Sequence, residues 1–323
     1  MLKLLKNWTL PIAMLCGVVG YFLLADVSAL ASVKPFVKTI VGFLTPALIF
    51  AQLLLSFCKI EPKELLPHGW HVWLLLFQAI SCCTIAAVLT ICPTSHAVRQ
   101  ILEGVMVCLI CPTATAGVVI TGKLGGNTSS LLTYTILSNM LAALLVPIAF
   151  PLVEPHAGLT FAAAFLKILS KVLPLLLAPL LLALIFRKWL PRIHRFLLSY
   201  SWLAFYLWAV ALVIVTAQTT HSLIVSPADT GTKILIACGG LAACAVQFFI
   251  GKKAGTAYND RISGGQALGQ KNTVLAVWMA YTYLDPVSSI GPGSYVIWQN
   301  SFNSWQLWKK RRTDERNFEK QEK

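Results

Sequence analysis

Apolar residues run through this chain in blocks of about 20, each closed by a short polar segment and each long enough as a helix to cross roughly 30 Å of hydrocarbon. Seven blocks are clean: residues 8–24, 36–57, 70–92, 131–150, 172–189, 196–217 and 234–250. Three more, 101–120, 269–284 and 291–308, carry Gly, Pro, Ser, Asn or Lys where a lipid-facing span would carry Leu. The pattern predicts an all-α polytopic membrane protein with ten membrane-spanning helices.

Ten spans divide into five and five, and an odd number per half makes the halves antiparallel, as in the inverted repeats of secondary transporters. The expected units are residues 1–158, residues 159–308 and a basic tail over 309–323. The irregular fourth and ninth spans occupy matching positions in the two halves. The fourth contains Cys111-Pro112-Thr113-Ala114-Thr115-Ala116-Gly117, and the ninth with its lead-in, residues 263–284, contains Gly264, Gly265, Gly269, Gln270, Lys271, Asn272 and Thr273. A helix broken in lipid exposes amide and carbonyl groups at several kcal/mol each, so a break is expected only where protein, water or a ligand meets it. Half-helix N-termini there attract anions, and free carbonyls attract cations. Pro46, Pro147, Pro174 and Pro179 are expected only to kink their helices. At the matched pair, breaks coincide with clustered side-chain polarity, which points to a binding site.

Composition excludes a soluble domain: of 323 residues, 57% are hydrophobic and only 12% charged, and the mean hydropathy is +0.73. The net charge of +14 reads as topology rather than as a nucleic-acid footprint. Lys3, Lys6, Lys59, Lys63, Arg187, Arg195, Lys252, Lys253, Arg261 and the tail from Lys309 fall on one side, and far fewer cations fall on the other. This asymmetry predicts both termini inside, in the cytoplasmic membrane of a bacterium. The first block lacks a small-residue cleavage pattern and is read as a span, not a signal peptide.

The nine cysteines lie in or beside apolar blocks, with no His or acid spaced to complete a metal site. Cys108 and Cys111, within a span, are read as packing residues. No G-x-x-x-x-G-K-[ST] loop, paired carboxylates, H-E-x-x-H or G-x-S-x-G is present, which leaves an enzyme only a Ser–Lys pair to work with. The expected activity is that of a carrier and not an enzyme, with the lipid bilayer and a small organic anion as partners, no nucleic acid and no cofactor. A non-transporting receptor or scaffold on a carrier fold is the alternative.

Four segments carry a resemblance. Cys111-Pro112-Thr113-Ala114-Thr115-Ala116 is similar to C-P-G-G-T-A, and Gly269-Gln270-Lys271-Asn272-Thr273-Val274-Leu275-Ala276 to G-M-Q-N-S-G-L-A. Trp298-Gln299-Asn300 is similar to W-H-N, and residues 59–65 to a loop leaving the second span. In order and spacing they resemble the bile acid:sodium symporter family, and Gln78 falls where that family has a Gln. The resemblance implies two inverted five-helix repeats with broken, crossing fourth and ninth helices, and a panel of helices 1, 2, 6 and 7 rocking against the remainder. It also implies two sodium ions held by oxygen ligands. Carried over by position, the first site's Ser-Asn pair becomes Gly117 and Val118, and its Ser and Thr become Leu131 and Thr135. The Glu shared by both sites becomes Ala267, and the second site's Gln becomes Lys271. Only Gln78 and Thr135 keep an oxygen, so at least the first sodium site is expected to be absent. The expected binding residues are Gln78, Thr113, Thr115, Gly117, Thr135, Gln270, Lys271, Asn272, Thr273 and Asn300.

Lys271 demands a reason, because a lysine near a bilayer centre costs about 2.5 to 3.5 kcal/mol on insertion scales. None of the 12 acids is an evident partner: Glu103 and Asp285 are placed near span ends and the others in loops or tails. Three roles remain open: a permanent replacement for sodium, a proton-coupling group, or a partner for the anionic substrate. Hydrogen bonding to carbonyls at the break is the structural alternative. Lys123 is read as a loop charge, His71, His96, His156 and His221 as residues near span ends, and the tryptophans as an aromatic belt.

Overall fold

The computed structural model describes residues 2–27, 32–155 and 158–321. The expectations placed on His156, on the side chains of Lys3 and Lys6 and on the last two residues of the tail lie outside the described residues. Among those described, the chain is helical throughout: α1 (Leu2–Asp26), α2 (Lys34–Phe57), α3 (Gly69–Ile91), α4 (His96–Ile110), α5 (Ala116–Leu124), α6 (Thr128–Val153), α7 (Phe161–Trp189), α8 (Pro191–Ser199), α9 (Leu203–Val225), α10 (Thr230–Thr256), α11 (Arg261–Gly269), α12 (Thr273–Tyr283) and α13 (Ile290–Gln321). Six of these, α2, α3, α6, α7, α9 and α10, are long and apolar enough to cross a membrane, and the protein is a multi-pass membrane protein.

Helix starts follow the short polar residues in the sequence. Asn127 accepts from the amides of Ser129 and Ser130 at the head of α6, both at 3.0 Å. Thr160 accepts from Ala163 at the head of α7, and Asp229 from Thr232 at the head of α10. At the other end, α5 stops at Gly125, whose φ of 83° is open to glycine at no steric cost. Helices α2, α6 and α7 continue through Pro46, Pro147, Pro174 and Pro179.

Three expected boundaries change. The segment between blocks 172–189 and 196–217 is not an open loop but α8, a short helix with no buried residue that follows directly on α7, and Phe196 belongs to it rather than to a span. The seventh apolar block is consequently displaced to α9. The basic tail is not a separate segment, since α13 runs unbroken from Ile290 through the charged residues to Gln321.

Two groups of helices pack internally. Helices α1, α2, α7 and α9 lie against one another, and α3, α4, α10, α11 and α13 form a second group with α5, α6 and α12. They meet where α9 touches α12, α13 and the turn 286–289, where α2 touches α12, and where α6 touches α7. Helix α12 is buried along nearly its whole length, as is α11 after its first turn. A helix enclosed on every side in this way belongs to a protein interior rather than to lipid.

Candidate functional site

The fourth and ninth apolar blocks are each two helices. Between α4 and α5 the chain leaves the helix at Cys111, and between α11 and α12 it does so at Gln270. The two gaps solve each other's backbone problem. The Ala114 amide donates to the Gln270 carbonyl and the Asn272 amide to the Pro112 carbonyl, both at 2.9 Å, and Thr113 and Lys271 pair as a single antiparallel β-bridge. The Thr113 hydroxyl donates to the Ala267 carbonyl at 2.5 Å, its amide donates to the Ser138 hydroxyl, and the Cys111 thiol donates to the Asn272 carbonyl at 3.0 Å.

The free carbonyls at the end of α4 collect donors from several helices. Gln78 Nε2 lies 3.1 Å from the Leu109 oxygen, 3.4 Å from that of Ile110 and 3.3 Å from that of Cys111. Gln247 donates to Cys108 O at 3.2 Å, and Tyr134 holds Gln78 in place by donating to its Oε1 at 2.6 Å. Lys271, only 1% exposed, donates from Nζ to Leu109 O at 3.2 Å. Its ammonium therefore sits at the negative end of the α4 dipole, a favourable place for a cation. Among the described residues no carboxylate makes an ion pair with it.

The other half-helix ends are treated unequally. At α12, Asn272 Oδ1 accepts from Leu275 N at 3.3 Å. At α5, Thr115 makes no such side-chain cap, and the first helical residue, Ala116, is exposed. The amides of Gly117 and Val118 turn back onto the carbonyls of Ala114 and Thr115, at 2.9 and 3.2 Å, so α5 presents the positive end of its dipole beside the breaks without a side-chain cap.

The expected residues thus divide. Gln78, Thr113, Gln270, Lys271 and Asn272 bond directly across or around the breaks, and Thr115 and Thr273 sit at the two half-helix starts. Thr135 donates to its own helix at Leu131 O, and Asn300 to its own helix at Val296 O, 2.6 Å away. The side chains of α13 that reach the breaks are Gln299, which accepts from the Lys271 amide at 2.9 Å, and Asn303, which donates to Gln270 Oε1 at 2.5 Å and accepts from Gln266. Sequence reasoning missed both, along with Ser138, Gln247 and Tyr295, whose hydroxyl donates to Gly269 O. The four-residue step from Gln299 to Asn303 is the signal that could have found the pair.

The positions expected to have lost sodium ligands are filled with hydrocarbon. Leu131 and Ala267 belong to one buried cluster with Trp70, Leu74, Tyr134 and Leu268, and Val118 packs against it. A Cβ on Gly117 would meet Gln270 Cγ at 3.2 Å and Leu131 Cδ2 at 3.4 Å. A hard cation needs oxygen donors, so this set does not fit sodium.

Other expectations shift as well. Glu103, expected near a span end, lies beside the turn that follows α12 but is fully buried there, and its Oε2 accepts from the Ser288 hydroxyl at 2.7 Å and from the Asp285 amide. Lys123 is not in a loop but in the last turn of α5, exposed. His71 is fully buried beside Trp70 and accepts at Nδ1 from the His68 amide.

A family model described as the Sodium Bile acid symporter family matches residues 45–226, from within α2 to just past α9. No curated protein matches the chain.

Proposed function

The chain belongs to the Sodium Bile acid symporter family, whose match covers more than half of its length and gives it a secondary-transport rather than an enzymatic role, and from that premise we propose that it carries a small organic anion by alternating access. The proposed topology is ten spans in two inverted repeats, residues 1–158 and 159–308, with α4–α5 and α11–α12 as the fourth and ninth. Both termini face the cytoplasm of a bacterium. The group α1, α2, α7 and α9 is the moving panel.

One observation carries this reading: a buried lysine lies at the paired breaks with no carboxylate beside it, next to an uncapped α5 N-terminus. Both features attract negative charge. Lys271 stands where a bound cation would stand in the pattern the chain resembles, so the carrier is not sodium-coupled in the usual family manner. The substrate-binding set is Gln78, Thr113, Thr115, Gly117, Gln270, Lys271, Asn272 and Thr273. The deciding experiment is uptake of a carboxylate panel by proteoliposomes under imposed sodium or proton gradients. Uptake without sodium is expected, and a strict sodium requirement overturns the reading.

A second reading rests on Lys271 being tied to Leu109 O. If the amine only fastens the break, the chain is a receptor or scaffold on a carrier fold, and it binds an anion without flux in the same vesicles.

A further inference from the structure

We propose that α5, α10, α11 and α13 together form a binding site for the phosphate headgroup of an anionic glycerophospholipid, separate from the helix breaks. A cavity of about 280 Å³ opens between the C-terminal ends of α5 and α10, the start of α11 and the middle of α13. Its walls carry four cations from three helices, Lys252, Arg261, Lys309 and Lys310, and one acid, Asp314. That acid is taken, since Lys310 Nζ lies 2.8 Å from its Oδ1. Lys252, Arg261 and Lys309 have no carboxylate partner among the described residues.

The uncompensated cations are held in place rather than splayed into water. Trp305 gathers two of them, with Lys309 Nζ 5.5 Å and Lys252 Nζ 5.9 Å from its ring centre. Arg261 donates to the Thr256 hydroxyl at 3.3 Å. Like charges confined around one ring repel each other, and an anion between them relieves that repulsion.

The surroundings select an amphiphile over a free anion. Leu124 and Ile262 give the cavity apolar wall. On α10, Phe249 lies three residues before Lys252 and is 67% exposed, and Val246 three before that is also exposed. A charged pocket therefore continues into a strip of bare hydrocarbon on a membrane-crossing helix. Trp305 and Trp308, both half exposed, mark the water–lipid border where indole rings settle. Basic pockets between membrane helices at that border hold anionic headgroups.

The test uses the full chain in nanodiscs of phosphatidylcholine with a minor fraction of phosphatidylglycerol, with retained lipid counted by native mass spectrometry after gentle delipidation. Wild type is expected to retain phosphatidylglycerol at least tenfold over phosphatidylcholine. The double variant Lys252→Gln/Arg261→Gln is expected to lose that preference, and Arg192→Gln/Arg195→Gln on α8 to keep it. If the first double variant does not fold, Lys309→Gln on the exposed rim serves in its place, with at least a threefold loss expected. An unchanged preference in the cavity variants overturns the proposal, as does an equal loss in the α8 variant. Displacement of phosphatidylglycerol by millimolar inorganic phosphate overturns the lipid assignment. None of these results depends on which solute is carried or on whether any solute is.

Discussion

A fully buried ammonium survives only if something replaces water around it, and Lys271 has two replacements: the Leu109 carbonyl and the C-terminal end of α4. Neither neutralises it, so under the proposed function the charge is left for the anionic substrate to meet. Replacing Lys271 by Gln keeps a donor of similar reach and removes the charge. Losing one charge-assisted hydrogen bond is worth about 1.5–3 kcal/mol, roughly ten- to hundredfold in apparent affinity. Lys271→Gln is therefore expected to raise the KM for a carboxylate by that factor while the unfolding midpoint stays level or rises, because a desolvated charge has gone. Transport kinetics unchanged from wild type would remove Lys271 from the mechanism. The lysine was legible from sequence because charge is conspicuous in an apolar block. Gln299 was not, because it and Asn300 differ by one residue, and the 100° between them on a helix decides which one faces the break. The burial of Glu103 was not legible for a related reason: the Ser288 hydroxyl that bonds it is 185 residues away.

At the scale of elements, the fourth-block break was readable because Pro112 cannot sit comfortably inside a helix and the ninth because polar side chains cluster around Lys271, while Gly264, Gly265 and Gly269 themselves lie within α11 and the β-bridge between the breaks needs both halves at once. The end of α13 was unreadable as helix from hydropathy alone. Its charged residues support a helix through spacing instead, as the Lys310–Asp314 pair four apart shows. Contact between α10 and α11 also had a sequence signal that hydropathy hides, Gly251-x-x-x-Gly255 facing Gly264. A Cβ on Gly264 would lie 2.8 Å from Gly255 Cα and collide with the Gly251 carbonyl, so backbone and not a yielding side chain is in the way. Gly264→Ala is expected to cost about 1–3 kcal/mol of stability, measured as a lower unfolding midpoint in detergent. Gly42→Ala, also inside a helix but with nothing within 4 Å, serves as the control and is expected to hold or raise the midpoint. The head of α10 gives a pH-dependent case outside the apolar span. Hydrogen bonds from the Thr232 hydroxyl and amide hold the Asp229 carboxyl below its usual range. A folded value below the unfolded one means that the carboxylate stabilises above about pH 3.9 and that this contribution disappears as pH falls through the lower folded value. Asp229→Asn should therefore be less stable than wild type at neutral pH, with the gap closing under strong acid. A gap that persists unchanged at low pH would assign the cap to geometry alone.

At the scale of the whole molecule, rocking requires contacts that persist within each group of helices and contacts that exchange between groups. Glycine makes one persistent contact: a Cβ on Gly17 of α1 would meet the Val213 carbonyl of α9 at 2.6 Å, too close for these helices to slide freely. Where α9 meets the second group the contacts are lighter. The Ser289 hydroxyl, in the turn after α12, hydrogen-bonds with the Ser222 hydroxyl of α9 at 3.1 Å, and the residue before Ser222, His221, sits between Tyr21 and Tyr281 with ring centres at 5.8 and 6.5 Å. Hydroxyls this near place the two β-carbons within reach of a disulfide. In a background with the nine native cysteines replaced, the pair Ser222→Cys/Ser289→Cys is expected to transport when reduced, to stop when oxidised and to recover on reduction, with each single variant active throughout. The bond would fix α9 to the turn that anchors α13, and so fix the panel to the half of the protein holding both breaks. Full transport by the completely cross-linked protein would mean that α9 and α12 travel together, and the moving boundary would then have to be sought between α6 and α7, where the two groups also touch.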